Sequence, residues 1–318
     1  MARSTTHWAK ASEAGSILGM EFLLLVYRLF GRWGFRIILI PVMSYFYLVK
    51  TEARRASRQY LNRVSSKTSS ADLKLSSFKH FLMFGEIILD KFLAWMGRIG
   101  KGDVVFEYPE EMAAFEQNQQ GGVIVVSHLG NNEVCAALAD YLPKIRMTLL
   151  VYTQHAERFN SMIEKISGNS RIKTFQVTEM SPTLAMILSD RVQQGEYIII
   201  AGDRTPVSGQ QRASRVNFLG GKVNMPQGAF ILAGLLKCPV YLLFCLKQQE
   251  KYHIYIEKFS ERITLARGQR EETLHRYVQL YAERLQSYCL KAPLQWFNFF
   301  HFWLEDAVPT GSQMTNNE

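Results

Sequence analysis

Residues 121–133 read Gly-Gly-Val-Ile-Val-Val-Ser-His-Leu-Gly-Asn-Asn-Glu, and the reading of this stretch decides the fold. Gly121-Gly122 form a turn, and the apolar run Val123-Val126 after them is a short strand buried on both faces. His128 therefore emerges at the carboxyl end of a strand, where open α/β sheets place their ligands.

Strands and helices alternate outward from this point. Strands are expected at Val123–Val126, Met147–Tyr152, Lys173–Val177, Tyr197–Ala201, Val240–Leu246 and Tyr252–Glu257. Helices are expected at Glu133–Tyr141, Glu157–Ile166, Pro182–Gln194, Gly228–Leu236 and Glu271–Leu290. Such alternation predicts an α/β domain with helices flanking a central sheet, and the closing pair of strands across a short polar turn reads as a hairpin. The sheet is therefore expected to be mixed and mainly parallel. Upstream, Phe78–Ile99 reads as a helix apolar all round except at Glu86 and Asp90, so it should pack between other elements.

The chain divides by composition into residues 1–64, an N-terminal membrane-associated helical extension, residues 65–305, the α/β body, and residues 306–318, a frayed tail. The polar run Ser65–Ser77 is a linker candidate. Between Ile17 and Val49 the chain is mostly apolar and aromatic, but Glu21, Arg28, Arg32 and Arg36 interrupt it. The longest unbroken apolar stretch, Ile37–Val49, is 13 residues, short of the roughly 20 that cross a bilayer. Arg28, Arg32 and Arg36 share one helical face, the pattern of a helix lying in the cytoplasmic leaflet, with a tilted span as the alternative. Lys50, Arg54, Arg55, Arg58 and Arg63 follow as a polybasic flank suited to anionic lipid. An ordinary core helix pair with a solvated basic face is the competing reading.

The chain has 318 residues, 47% of them hydrophobic and 20% charged, and a formal net charge of +9. That length buries a sizeable core. The charge favours an acidic partner: an anionic membrane surface, an acidic carrier protein or a phosphorylated substrate. Nucleic acid is disfavoured, because no zinc-finger spacing, RNA-recognition signature or basic-region helix is present. Cys135, Cys238, Cys245 and Cys289 are far apart within apolar segments, so they read as reduced core residues rather than a disulfide frame or metal site. No metal or tightly bound cofactor is implied.

His128 and Glu133 carry the chemistry in this reading. On one helix, positions i and i+5 would point roughly 140° apart, so a turn must intervene. Gly130 supplies its backbone freedom, and Asn131 or Asn132 caps the helix that follows. Glu133 then orients one ring nitrogen and leaves the other to take a proton from a substrate hydroxyl. The competing reading is a buried histidine that satisfies a carbonyl. Asp203-Arg204 follows the strand Tyr197–Ala201 and should lie on the same sheet edge, with Arg204 suited to a phosphate or developing negative charge. Asp203 can instead pair with Arg204 for structural reasons. Arg212, Arg215 and Lys222 surround Phe218-Leu219-Gly220-Gly221, backbone able to approach a ligand closely, and Gly228 opens a helix whose N-terminus suits an anion. Asn131, Asp203, Arg204, Arg215, Phe218, Gly220 and Gly228 are the expected substrate contacts. Phe218, Trp296, Phe297, Phe299 and Phe300 are aromatic candidates for an acyl slot, or alternatively core.

The stretch His128-Leu129-Gly130-Asn131-Asn132-Glu133 resembles the His-Phe-Gly-Asn-Trp-Glu motif of the bacterial lipid A biosynthesis (lauroyl and myristoyl) acyltransferases, within the lysophospholipid acyltransferase superfamily. Further features recur in order: Leu149-Leu150-Val151-Tyr152, Ile200-Ala201-Gly202-Asp203-Arg204, Val216-Asn217-Phe218-Leu219-Gly220 with Pro226-Gln227-Gly228, and Pro293-Leu294-Gln295-Trp296-Phe297. Asn132 stands where the family usually has an aromatic and Thr153 where it commonly has an arginine, so the resemblance carries the reaction type and not the acceptor.

The resemblance implies a divergent enzyme at the cytoplasmic face of a bacterial inner membrane. Its activity would be transfer of a fatty acyl group from a thioester of acyl carrier protein or coenzyme A to a hydroxyl of a lipid or glycolipid. The alternatives are a non-catalytic lipid-binding protein of the same fold and an acyltransferase acting on an amine or a non-membrane acceptor.

Overall fold

The computed structural model describes residues 17–68, 75–117, 120–138, 145–151, 172–176, 182–204 and 212–304. The expected helix Glu157–Ile166, the positions Tyr152 and Thr153, and the tail 306–318 lie outside them. In chain order the helices α1 (Ile17–Val49), α2 (Thr51–Ser65) and α3 (Ser77–Trp95) lead into β1 (Val104–Phe106) and α4 (Pro109–Gln117). Next come β2 (Gly122–Val126), α5 (Asn132–Leu138), β3 (Arg146–Val151), β4 (Ile172–Gln176), α6 (Pro182–Gln193) and β5 (Glu196–Ala201). The chain continues through β6 (Ala213–Phe218), β7 (Gly221–Pro226), α7 (Gly228–Leu236), β8 (Val240–Gln248), β9 (Lys251–Ser260) and α8 (Arg270–Lys291).

Seven strands form one sheet in the order β1-β9-β8-β2-β5-β3-β4. Among the described residues the β8–β9 hairpin is its one antiparallel pairing; β2 runs parallel to both β8 and β5. The fold is thus α/β around a mixed, mainly parallel sheet. β2 is buried along its whole length, and its alternate residues feed two cores, as the pleat requires. Val123 and Val125 join a core built with Leu188, Leu232, Val278 and Tyr281 from α6, α7 and α8. Ile124 and Val126 join the opposite core with Leu39, Ile87, Phe115 and Val134 from α1, α3, α4 and α5.

The N-terminal helices share these cores. Tyr60, Leu61 and Val64 of α2 pack in the first, and Phe35, Leu39 and Met43 of α1 in the second. α1 kinks at Gly31, where φ is 66°. The arginine stripe read as facing a lipid leaflet in fact turns inward for two of its members. Arg36 makes a two-bonded fork on Glu86 at 3.0 and 3.1 Å, and Arg32 pairs with Asp90 at 2.7 Å. The two acids that interrupt α3 are therefore the sockets for α1. Asp90 also receives Lys247 at 2.7 Å and the Tyr252 hydroxyl, which ties α1 and α3 to β8 and β9.

What α1 leaves outside is mostly apolar: Leu29, Phe30, Ile37, Ile40, Leu48 and Val49 are exposed and Trp33 is 76% exposed, with Arg28 exposed among them. From Leu25 to Val49 the helix is long and apolar enough, by length and composition, to cross a membrane.

β6 and β7 form a separate two-stranded ribbon joined by Leu219-Gly220, with φ 48° and 74°. Two consecutive positive values define a tight hairpin turn whose twist matches the strands. The glycines expected as backbone able to approach a ligand closely thus lie at the turn of this ribbon. The close approach there is internal, since a Cβ on Gly221 would stand 2.5 Å from the Arg63 guanidinium and 2.7 Å from Trp303.

Candidate functional site

β2 and β5 are parallel neighbours, with Val126 opposite Ala201. The ladder continues one step, Gly202 N–H donating to the Val126 carbonyl at 2.9 Å. Two residues beyond each strand, His128 and Asp203 stand abreast. The His128 Nδ1–H donates to Asp203 Oδ1 at 2.8 Å, and the His128 backbone N–H donates to Oδ2 at 2.8 Å. A third donor, the Trp296 indole Nε1–H, reaches Oδ2 at 3.1 Å. The carboxylate can only accept, so Nδ1 carries the imidazole proton and Nε2 presents a lone pair.

The orienter of His128 is therefore Asp203, which corrects the assignment of that role to Glu133. The physical reason is local. The Asn132 side chain folds back to donate to the Ser127 carbonyl at 2.7 Å, so α5 starts at Asn132 and Glu133 occupies its first turn, where it forms an ion pair with Lys91 of α3. Glu133 stays close to the site through that partner, because the Lys91 charge acts on the His128 ring.

The loop itself is clamped from two sides. Gly130 N–H donates to the Gln295 carbonyl at 2.9 Å, Phe297 N–H to the His128 carbonyl at 3.1 Å, and Asn131 N–H to the Cys245 carbonyl at 2.8 Å. Leu129 and Trp296 thus face each other as in a short antiparallel pair. Gly130 has φ 73°, which explains the residue chosen there.

The charges set the state of the ring. Burial lowers the proton affinity of His128 most, and Arg204 lowers it further, against the upward pull of Asp203. The imidazole is neutral at pH 7, although 38% of its side chain remains open. Burial works to raise Asp203, but His128 and then Arg204 outweigh it and hold the carboxyl at about 2. Burial brings Arg204 down to about 10, so it stays cationic. Its Nη2 donates to the Phe297 carbonyl at 2.6 Å, and the guanidinium lies 5.4 Å from the Phe300 ring centre.

His128, Asp203 and Arg204 therefore form one cluster. Asn131, in the same loop as His128, is fully buried. Arg215 lies on the exposed face of the ribbon, opposite Val216 and Phe218. Phe218 is a core residue, 1% exposed, with the rings of Trp296 and Trp303 around it. Gly220 serves the ribbon turn. Gly228 opens α7, whose start carries no side-chain cap and has open space beside Gly228; the preceding Gln227 side chain donates to Ser214 and Glu271 instead. Trp296 and Phe297 are likewise buried.

Two participants escaped the sequence: Lys91, and the role of Trp296 as a donor to Asp203. Three of the four thiols are buried and carry no nucleophile signature, burial pushing Cys238 up to about 11 and raising Cys245 and Cys289 as well. Among the described residues no group of three or more His, Cys, Asp or Glu could hold a metal ion.

A neutral, partly open imidazole with an unprotonated Nε2, a buried anion behind it and a half-buried cation beside it can take a proton from a hydroxyl and stabilise the resulting imidazolium. Compared with known proteins, the chain matches no family model and no curated sequence.

Proposed function

We propose that this protein is a membrane-associated O-acyltransferase, a divergent relative of the lysophospholipid acyltransferase superfamily. It moves a fatty acyl group from a thioester to a hydroxyl of a lipid or glycolipid at the cytoplasmic face of a bacterial inner membrane. The observation that carries this reading is the His128–Asp203 pair at the carboxyl edge of the sheet, with Nε2 unprotonated and the ring partly open.

His128 Nε2 removes the acceptor's hydroxyl proton as the oxygen attacks the thioester carbonyl. The new C–O bond forms, the C–S bond breaks, and the departing thiolate takes the proton back from the imidazolium. No acyl-enzyme is needed, because the acceptor oxygen attacks the thioester directly. Arg204 is the cation placed to steady negative charge. The net charge of +9 suits an acidic acyl carrier protein as donor, with coenzyme A as the other thioester source.

Lipid extraction and mass spectrometry of cells with and without the protein test the reading. A lipid class heavier by one acyl chain, present only with the protein, is expected. Identical lipid profiles contradict it.

The same reading places α1 flat on the membrane. Its inner face is held by the body through Phe35, Leu39, Met43 and two arginine pairs, while the outer face presents Leu29, Phe30 and Trp33. Each large apolar side chain buried in lipid contributes roughly 1.5–3 kcal/mol. The double variant Leu29→Glu, Trp33→Glu should therefore reduce co-flotation with anionic phospholipid vesicles by at least about tenfold. Flotation equal to that of the unaltered chain would show that α1 does not dock through this face.

A further inference from the structure

Behind the Asp203–His128 pair lies a second histidine that the chemistry above does not use. His80 of α3 is fully buried, caged by Phe299, Tyr60 and Phe297 at ring-centre distances of 4.7, 5.7 and 5.9 Å. Its Nε2 lies 3.0 Å from the Trp296 carbonyl and its Nδ1 2.9 Å from Ser57 Oγ. Ser77 Oγ donates in turn to Ser57 Oγ at 2.8 Å. A carbonyl only accepts, so Nε2 carries the proton and Nδ1 takes the Ser57 hydroxyl's. Burial brings the ring down to about 4, against the pull of the Trp296 carbonyl, and it stays neutral.

Desolvating an imidazole is unfavourable, and a phenylalanine would fill such an aromatic cage without that penalty. What the histidine adds is a fixed donor to Trp296. Trp296 is the residue where a fixed position matters. Its carbonyl accepts from His80 and from the Asn298 backbone N–H at 2.8 Å, its indole is enclosed by Tyr60, Phe218 and Phe302, and its Nε1–H ends on Asp203. The residues on either side of it are bonded to the catalytic loop at Gly130 and His128.

We propose that His80 is a positioning residue for His128: it fixes Trp296, whose indole aims the Asp203 carboxylate at the catalytic ring. The chain of bonds runs from Ser77, Ser57 and His80 on α2 and α3 through Trp296 to the sheet edge, so the helices beneath α1 are joined to the base. This rests on the reading of His128 as that base.

The test compares His80→Leu, His80→Gln and Trp296→Phe by 15N NMR of the His128 ring, assigned with His128→Ala, and by acyl-transfer turnover. Leucine removes the side-chain donor that ties the Trp296 carbonyl to α3 and leaves the local Asn298 N–H in place, glutamine returns an amide N–H to the same carbonyl, and phenylalanine at position 296 keeps the aromatic packing while deleting the bond to Asp203. A carboxylate relieved of a donor holds the imidazolium more tightly. His80→Leu and Trp296→Phe should therefore move the His128 titration upward, its charged neighbours Asp203, Arg204 and Lys91 being unchanged. The same two variants should lower kcat by about tenfold, with KM within about twofold. His80→Gln should restore both.

A His128 titration that is unmoved in the leucine and phenylalanine variants overturns the proposal, as does glutamine behaving like leucine. If His80→Leu does not fold, His80→Phe, which fills the aromatic cage and lacks the N–H, takes its place with the same expected and contradicting results. The ring signal needs no substrate. Full turnover in His128→Ala would therefore sink the acyl-transfer reading while leaving the positioning result to be read from the spectra.

Discussion

Asp203→Asn is expected to lower acyl-transfer turnover by roughly 10²- to 10⁴-fold while the chain still folds. The amide is nearly the same shape, so the cage around it survives, but it no longer offers an anion to the His128 Nδ1–H. The ring loses the partner that selects its tautomer and the charge that stabilises the imidazolium formed during proton transfer. Glu133→Gln should cost less than about tenfold, because Glu133 is bonded to Lys91 rather than to the ring. Steady-state kinetics on the two variants separates the carboxylates, and a larger loss for Glu133→Gln would return the orienting role to Glu133.

The same assignment gives a signed pH dependence. His128 must be neutral to act, and burial and Arg204 hold its proton affinity below the usual histidine value. For unaltered protein kcat/KM should stay flat through neutrality and fall only as the pH drops through that lowered value.

Gly130→Ala should destabilise the fold by roughly 2–5 kcal/mol, read as a lower midpoint in urea. A Cβ at this position would stand 1.9 Å from the Cys245 carbonyl oxygen, far inside van der Waals contact, and φ is 73°, where a side chain is strained in any case. Relief would require breaking the bond from Asn131 N–H to that carbonyl and lifting the loop that carries His128. Turnover should fall in parallel with stability. A midpoint unchanged within about 0.5 kcal/mol would show that the loop is not clamped in this way.

The sheet was legible because its apolar runs are bounded by turns and alternate with helical segments. The bounds of α7, Gly228–Leu236, coincide with those read from the residues. The ribbon was not read, although Ser214, Val216 and Phe218 alternate inward along β6, because the glycines after them suggested a ligand loop. α4 carried its own signal, Pro109 followed by Glu110 and Glu111 in the first turn, the composition of a helix start.

At the site, His128 and the common edge with Asp203 followed from strand ends. Their pairing did not, since it depends on β5 lying next to β2, a non-local fact. The arginines of α1 fitted both lipid and protein partners, and only the position of α3 decides between them. His80 and Trp296 are 216 residues apart, and nothing in either local sequence announces the bond.

The most direct measurement of the central claim is lipid mass spectrometry of cells carrying the unaltered chain or His128→Ala at equal abundance and with equal thermal stability. The account requires the acylated lipid to be present with the first and essentially absent with the second. Equal amounts of that lipid from both would mean that the His128 imidazole is not the base.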